Sequence, residues 1–359
     1  MEKDANLLKK IWEFDREGIR KGTWWWWFWL FFFDNPENPK KPRQLMILWS
    51  TKNEEGPINC NGMDMKLKMP PFKIDGKKTV LDGAVAAWYF DGKEMHEDFL
   101  LDCCDITVED GKLSDSKGLS FFKKTKSGFS VDLKSRQGQK ISFALSGSGE
   151  SSHPLFKQKS YANAFNYRIL KMNRMNLKAI LEKGGKKEGC KGTAYFQKVT
   201  VNAPAVPWFW SILHFKDGSW LSYFNPHFGT SAIRKKLPLR FLDLPLKKEL
   251  EFYDAKTKKH HSFKKLKISR TRDSLPMWRI CAGNGSESIS VSLESYSKAL
   301  WLFRKKVSLL PFKSSLHYNE YCVSVPFLEL RNKEGKVLCR EKELGKGTGN
   351  AEHTWGFLW

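Results

Sequence analysis

Gly192 to Phe224 reads GTAYFQKVTVNAPAVPWFWSILHFKDGSWLSYF, and how it folds decides how the rest of the chain folds. Gly192 to Val201 mixes small, aromatic and β-branched residues without a helical period, which predicts a strand. Asn202 to Pro207 breaks it, because each proline fixes φ and lacks a backbone donor. Trp208 to Phe215 predicts a second strand, and Asp217-Gly218 a two-residue hairpin turn into a third. That turn sets Phe215 opposite Trp220, His214 opposite Leu221, Ile212 opposite Tyr223 and Trp210 opposite Asn225. Side chains alternate across a strand. One face then carries Trp208, Trp210, Ile212, His214, Leu221, Tyr223 and Asn225. The other carries Phe209, Ser211, Leu213, Phe215, Trp220, Ser222 and Phe224. Neither face is polar. Either both are core, or one packs on another layer while the mixed first face lines a cavity.

Working outward, Trp24 to Phe33 (WWWWFWLFFF) has aromatics on both parities. This predicts a strand buried on both faces, or one with a core on one face and a ligand on the other. Gln44 to Trp49 returns as its partner. Asp4 to Glu17 is a short amphipathic helix candidate, expected to pack outside a sheet. Between residues 50 and 150, turn signals such as Asp75-Gly76, Asp82-Gly83, Asp110-Gly111 and Gln137-Gly138 separate short strand-like runs. That spacing predicts an antiparallel sandwich or barrel, with no βα alternation and no phosphate-binding glycine loop. Beyond Phe224 the strand pattern continues at Leu239 to Leu242, Glu249 to Tyr253, His261 to Ile268, Ser288 to Leu293 and Tyr321 to Leu330, with a short helix allowed at Lys298 to Lys306.

The two parts echo each other. Trp27-Phe28-Trp29 repeats as Trp208-Phe209-Trp210, and Gly192-Thr193-Ala194 as Gly349-Asn350-Ala351. Their common order predicts a duplicated β-domain. The expected fold is all-β: two consecutive antiparallel β-barrel domains with a few short helices, at 1–204 and 205–359.

Seven cysteines, an odd number without a CxxC, argue against a disulfide framework and a structural zinc site. No metal and no cofactor are expected. The charged start, Met-Glu-Lys-Asp, has no apolar h-region, so no signal peptide is expected. The ten apolar residues of Trp24 to Phe33 are too few to span a bilayer as a helix. The expectation is a cytoplasmic protein.

The net charge of +23 is uneven: residues 1–150 hold 24 Lys/Arg against 23 Asp/Glu, and residues 151–359 hold 38 against 16. The basic run Lys256 to Arg272 suits an anionic membrane surface, or is only a solvated face. Nucleic acid is disfavoured, because this run holds one aromatic, Phe263, and the Trp residues fall in strand pairs.

The Trp-rich opening strand, GTAYFQKV before PWFWSILHFKDGSWLSYF, and the closing GNAEHTWG together resemble the lipocalin-like family of hydroxyneurosporene synthase (carotenoid 1,2-hydratase) and its AttH-like relatives. The resemblance implies two lipocalin-like domains sharing a ligand pocket, and hydration of isoprenoid double bonds or cyclisation as the chemistry. It departs in one place: Gln197 and Lys198 stand where hydratase-like members carry an acidic residue and a histidine. Hydrating an alkene needs a proton donor in an apolar site, aromatic faces for the carbocation and a held water. The candidate acids are Glu352, His353 and His214. The candidate substrate-binding residues are Trp208, Trp210, Tyr195, Gln197, Tyr223, Asn225, Trp27 and Trp29. The expected ligand is an isoprenoid or similar lipid-like molecule. A non-catalytic lipocalin-like carrier is the competing reading, favoured by the missing acidic-His pair.

Overall fold

The computed structural model describes residues 2–16, 19–161, 165–203, 205–232, 243–305 and 314–358. Almost all of it is antiparallel strand, with three short helices among the described residues. The strand expected at Leu239 to Leu242 lies outside them.

Ten strands close into a barrel. In order around it they are Trp24–Phe33, Arg43–Lys52, Lys78–Phe90, Met95–Glu109, Lys112–Asp115, Ser120–Thr125, Gly128–Lys134, Lys140–Ser146, Phe165–Lys183 and Lys186–Asn202. The ring closes where Lys140–Ser146 pairs with Phe165–Lys183 and Lys186–Asn202 pairs back with Trp24–Phe33. Trp24–Phe33 is central and buried on both faces. Its odd residues, Trp25 to Phe33, point into the barrel with Trp49, Phe122 and Phe196. Its even residues Phe28, Leu30 and Phe32 point out, into a second apolar layer with Met46, Trp88, Trp210 and Trp301. That layer is the seam between the barrel and the second sheet.

The second sheet runs through Lys259–Phe263, Glu249–Asp254, Trp220–Phe228, Trp208–Phe215, Gly347–Phe357, Ser314–Asn332, Glu287–Lys305, Met277–Gly283 and Lys265–Arg270. It curls, so that Leu250 and Phe263 from one end share a core with Leu266 and Ile280 from the other. The hairpin Gly56–Cys60 and Met63–Leu67 leaves the first half of the chain and joins this sheet, pairing Cys60 with Phe303 and Ile58 with Lys305. The two sheets therefore do not divide cleanly at residue 204.

Four local expectations are corrected. The N-terminal helix is Glu2–Lys9 only, and the chain after it enters the barrel instead of lying outside. Buried indoles need acceptors. Trp27 Nε1 donates to the Ile11 carbonyl at 2.8 Å and Trp25 Nε1 to that of Asp15 at 3.0 Å, which pins the segment inside. Asp82-Gly83 lies within the strand Lys78–Phe90, because Gly83 is where the Ser50 carbonyl and Ile106 come too close for any side chain. Residues 298–305 continue the long strand Glu287–Lys305 rather than forming a helix.

The fourth correction is a register. The Asp217-Gly218 loop closes between Phe215 and Ser219, with Phe215 N donating to the Ser219 carbonyl at 3.0 Å. Three residues lie between, and Gly218 takes φ of 106°. His214 therefore faces Trp220 and Ser211 faces Tyr223. A one-residue slip moves every later side chain to the other face. Leu221 and Tyr223 sit in the core of the second sheet, and Trp220 and Phe224 face the seam.

The internal echo is real in architecture and off by one residue in detail. Each half opens and closes on adjacent antiparallel strands, pairing Phe33 with Gly192 and Leu213 with Gly349. A Cβ on Gly192 would lie 2.0 Å from the Phe32 carbonyl oxygen, and one on Gly349 2.1 Å from that of Ile212. The glycines let two backbones approach at matching places. Counted from them, Trp29 corresponds to Phe209, not to Trp210. Gly192→Ala is expected to cost about 2–3 kcal/mol in chemical denaturation. Gly189→Ala, in the same strand with open space around it, should change stability by no more than about 0.5 kcal/mol. Equal effects would show that close approach is not what Gly192 provides.

Candidate active site at the seam

Two neighbouring strands, Ser314–Asn332 and Gly347–Phe357, place the chemistry. Along the first, Leu316, Tyr318, Glu320 and Cys322 alternate onto the seam. Along the second, Asn350 and Glu352 do the same, while Ala351 points into the other core. The register sets Glu320 directly opposite Glu352. Both are buried, Glu320 fully and Glu352 to 4% exposure.

Their surroundings differ. Glu352 accepts hydrogen bonds from Trp208 Nε1 at 2.6 Å and Tyr318 Oη at 2.7 Å. Neither oxygen of Glu320 completes a hydrogen bond, although Trp88 and Tyr318 approach it. Burial pushes both carboxyls up. The two donors limit the rise of Glu352 to about 7. Burial and the facing Glu352 hold Glu320 well above the carboxylate range. Two carboxylates this close in an apolar layer cannot both ionise, so the pair keeps a proton at neutral pH, held on Glu320.

A cleft opens beside the pair. It is narrow, about 40 Å3, and Trp24, Met46, Ile58, Met65, Trp301 and Tyr318 line it. The hairpin 56–67 forms one wall. Tyr318 belongs to both cleft and pair, since its hydroxyl reaches Glu352 while its ring lies 5.5 Å from Trp208. Aromatic faces thus surround a buried proton donor next to apolar space.

The structure sorts the sequence candidates. Trp208, Trp210, Tyr195, Gln197 and Glu352 share the seam. Trp210 contacts Tyr195 at 5.4 Å between ring centres, and Tyr195 Oη donates to Gln197 Oε1 at 3.0 Å. Trp27 and Trp29 lie inside the barrel. Tyr223 and Asn225 are carried to the second sheet's other side by the register correction. His353 is on the opposite face from Glu352 and stacks on Phe209 at 4.9 Å. His214 faces the seam, but its ring meets Thr193 Oγ1 at 2.8 Å and the Asn173 carbonyl at 2.7 Å. Burial, aided by Arg174, drops its pKa to about 3, so it is neutral and gives no proton at neutral pH.

Gln197 and Lys198 part company by the same alternation. Gln197 faces the seam. Lys198 points into the barrel, where Nζ donates to the carbonyls of Lys10, at 2.5 Å, and Glu13. Burial lowers it to about 8. Glu320 is the residue sequence reasoning missed. Its signal is a glutamate at the parity of Leu316, Tyr318 and Cys322, an apolar row. One cluster among the described residues, Asp91, Glu94 and His96, could hold a cation; it is partly exposed, where strand Lys78–Phe90 turns into Met95–Glu109.

With this geometry in hand, the known structures can be compared. The chain has the fold of an AttH protein. A crystal structure described as AttH from Nitrosomonas europaea matches with a TM-score of 0.55 and 12% identity, over 96% of this chain and 97% of that one. Kievitone hydratase from Nectria haematococca matches with a TM-score of 0.45 and 12% identity, over 93% and 89%. CghA in complex with Sch210972 matches with a TM-score of 0.45 and 7% identity, over 94% and 89%. No family model and no curated protein matches the sequence. The AttH-like likeness therefore rests on shape and on the motifs quoted above. No helix among the described residues is long and apolar enough to cross a membrane.

Proposed function

We propose that this protein is an acid-catalysing lyase or isomerase that hydrates or cyclises an apolar, isoprenoid-like ligand at the seam. The observation that supports this is the buried Glu320–Glu352 pair, two facing carboxyls set among Trp88, Trp208, Trp301 and Tyr318. In this reading the Glu320 proton adds to one alkene carbon and leaves a carbocation on its neighbour. The aromatic faces stabilise that cation. Water or a second double bond captures it, and the proton then released returns to the carboxylate pair. Glu352 serves as the partner that keeps Glu320 protonated between turnovers.

Isoprenoid extracts incubated with the protein are then expected to yield products heavier by one water, or isomers of changed retention, by mass spectrometry. Glu320→Gln should lower that turnover by about 10²–10⁴-fold while ligand binding persists. Folded wild type that changes nothing across a broad panel would remove the enzymatic reading. The carrier reading is favoured by Gln197, a neutral residue tied to Tyr195 on the seam. It requires a co-purifying lipid released unchanged in native mass spectrometry.

We further propose a cytoplasmic location with docking on anionic membranes. Lys258, Lys259, Lys264, Lys265 and Lys267 are all exposed, and each contributes about 1 kcal/mol near an anionic surface. The protein should bind anionic vesicles in a salt-sensitive way and neutral ones weakly. Replacing the five lysines with Gln should reduce binding without loss of fold. Unchanged binding by that variant would leave the run as a solvated face.

A further inference from the structure

The seam holds one block of side chains with buried hydrogen-bonding atoms that complete no hydrogen bond in the protein. Asn350 is fully buried, and both its Oδ1 and Nδ2 are unpaired. It lies two residues before Glu352 on the same face and directly opposite Cys322, which makes it the diagonal neighbour of Glu320. Glu320 contributes two unpaired oxygens. From the barrel side, Gln44 is also fully buried. Its Nε2 donates to Tyr296 Oη at 2.7 Å and to the Gly349 carbonyl at 2.9 Å, next to Asn350, and its Oε1 is unpaired. Trp88, beside Glu320, adds an unpaired indole N–H.

Such groups are rare in folded proteins, because each carries its full desolvation penalty. An apolar side chain of the same shape at position 350 would avoid it. Six such atoms, on Asn350, Glu320, Gln44 and Trp88, gather around the carboxyl pair. Asn350 offers both a donor and an acceptor, so it matches a hydroxyl or a carbonyl oxygen.

We propose that the seam ligand carries an oxygen function, a hydroxyl or carbonyl, which Asn350 and the Trp88 indole bind beside Glu320 while the hydrocarbon body lies in the cleft. This rests on the reading of the seam as the ligand site. It narrows the substrate class from any isoprenoid-like hydrocarbon to an oxygenated one. Asn350 is then a specificity-determining residue. Its unpaired atoms are satisfied only when such a ligand enters, which ties ligand entry to relief of the desolvation penalty.

The test compares farnesol with farnesene, one skeleton with and without a hydroxyl, by quenching of tryptophan fluorescence. Wild type should bind farnesol at least about tenfold more tightly, since a site built for a polar group rejects the analogue that leaves it unpaired. Asn350→Leu should bring the ratio near one while keeping or improving farnesene binding, and should raise the melting temperature. Trp88→Phe, which removes only the unpaired N–H donor from a ring that stays apolar, is the second variant and should reduce the ratio as well. Equal wild-type affinities would overturn the inference and leave the seam site standing, with water serving these groups instead. Discrimination that survives in both variants would overturn the assignment to Asn350 and Trp88. If neither probe binds, the inference and the seam site fail together.

Discussion

The stability advantage of Glu352→Gln over the wild type is expected to grow by about 3 kcal/mol between about pH 4.5 and about pH 8. Burial raises this carboxyl from its ordinary 4.5 to about 7. Between those two values the folded protein holds a proton that the unfolded chain has released. Stability contributed by the protonated form is therefore complete below about pH 4.5 and is lost as the pH rises through about 7. At about 1.4 kcal/mol per pH unit, the loss reaches about 3 kcal/mol. Gln has no proton to lose. Glu320 is raised for the same reason and further by Glu352, so Glu320→Gln should show the same direction. The expected result is a wild type that weakens towards alkaline pH and variants that weaken less. Parallel pH profiles for wild type and both variants in urea denaturation would show that the pair is not held protonated. Native side chains that lower stability where they act are a common cost of function.

Glu251→Gln is expected to destabilise the protein by about 3–5 kcal/mol, because it strips a buried lysine of its counter-charge. Lys171 is on a barrel strand, and its Nζ meets Glu251 of the second sheet at 2.7 Å. Lys157 reaches both Glu251, at 2.5 Å, and Glu249, at 2.9 Å. This ladder ties the barrel to the second sheet. Burial pulls Lys171 below the ordinary lysine value. Burial pushes Glu251 up, but Lys171 and Lys157 outweigh it and hold the carboxyl at about 2. A lowered carboxyl contributes stability above about pH 4.5 and loses it as the pH falls towards 2, the opposite sense to the Glu320–Glu352 pair. Lys171→Met removes the buried charge and leaves Glu251 with Lys157, so it should cost much less than Glu251→Gln. If Lys171→Met proves the more harmful of the two, the uncompensated-charge account of this ladder is wrong.

Much of the architecture is written in the chain. WWWWFWLFFF can only be buried on both faces, and the structure puts a barrel core on one and the seam on the other. The pairing of opening and closing strands follows from the repeated glycines at 192 and 349. What was not legible depended on single residues of register. Asp217-Gly218 reads as a two-residue turn, yet Asp217 accepts from Ser219 N at 2.9 Å and from Ser219 Oγ at 2.7 Å, which draws a third residue into the loop. That one residue carries Tyr223 and Asn225 away from the seam. Glu352 was legible from its place in GNAEHTWG, whereas its partner depends on a cross-strand pairing that no local pattern reports. The hairpin 56–67 is similar: its turn is readable, but its sheet is chosen by Cys60 pairing with Phe303 on strand Glu287–Lys305 and by Ile58 packing into the seam.

The central claim is that two facing glutamates keep a proton inside an apolar seam at neutral pH. Infrared spectroscopy of the protonated-carboxyl stretch, followed with pH in wild type and Glu320→Gln, tests it most directly. The account predicts a protonated-carboxyl band that persists at about pH 7, weakens in Glu320→Gln to the part that Glu352 contributes, and shifts in Glu352→Gln. A wild type with no protonated carboxyl left by about pH 6 would contradict it.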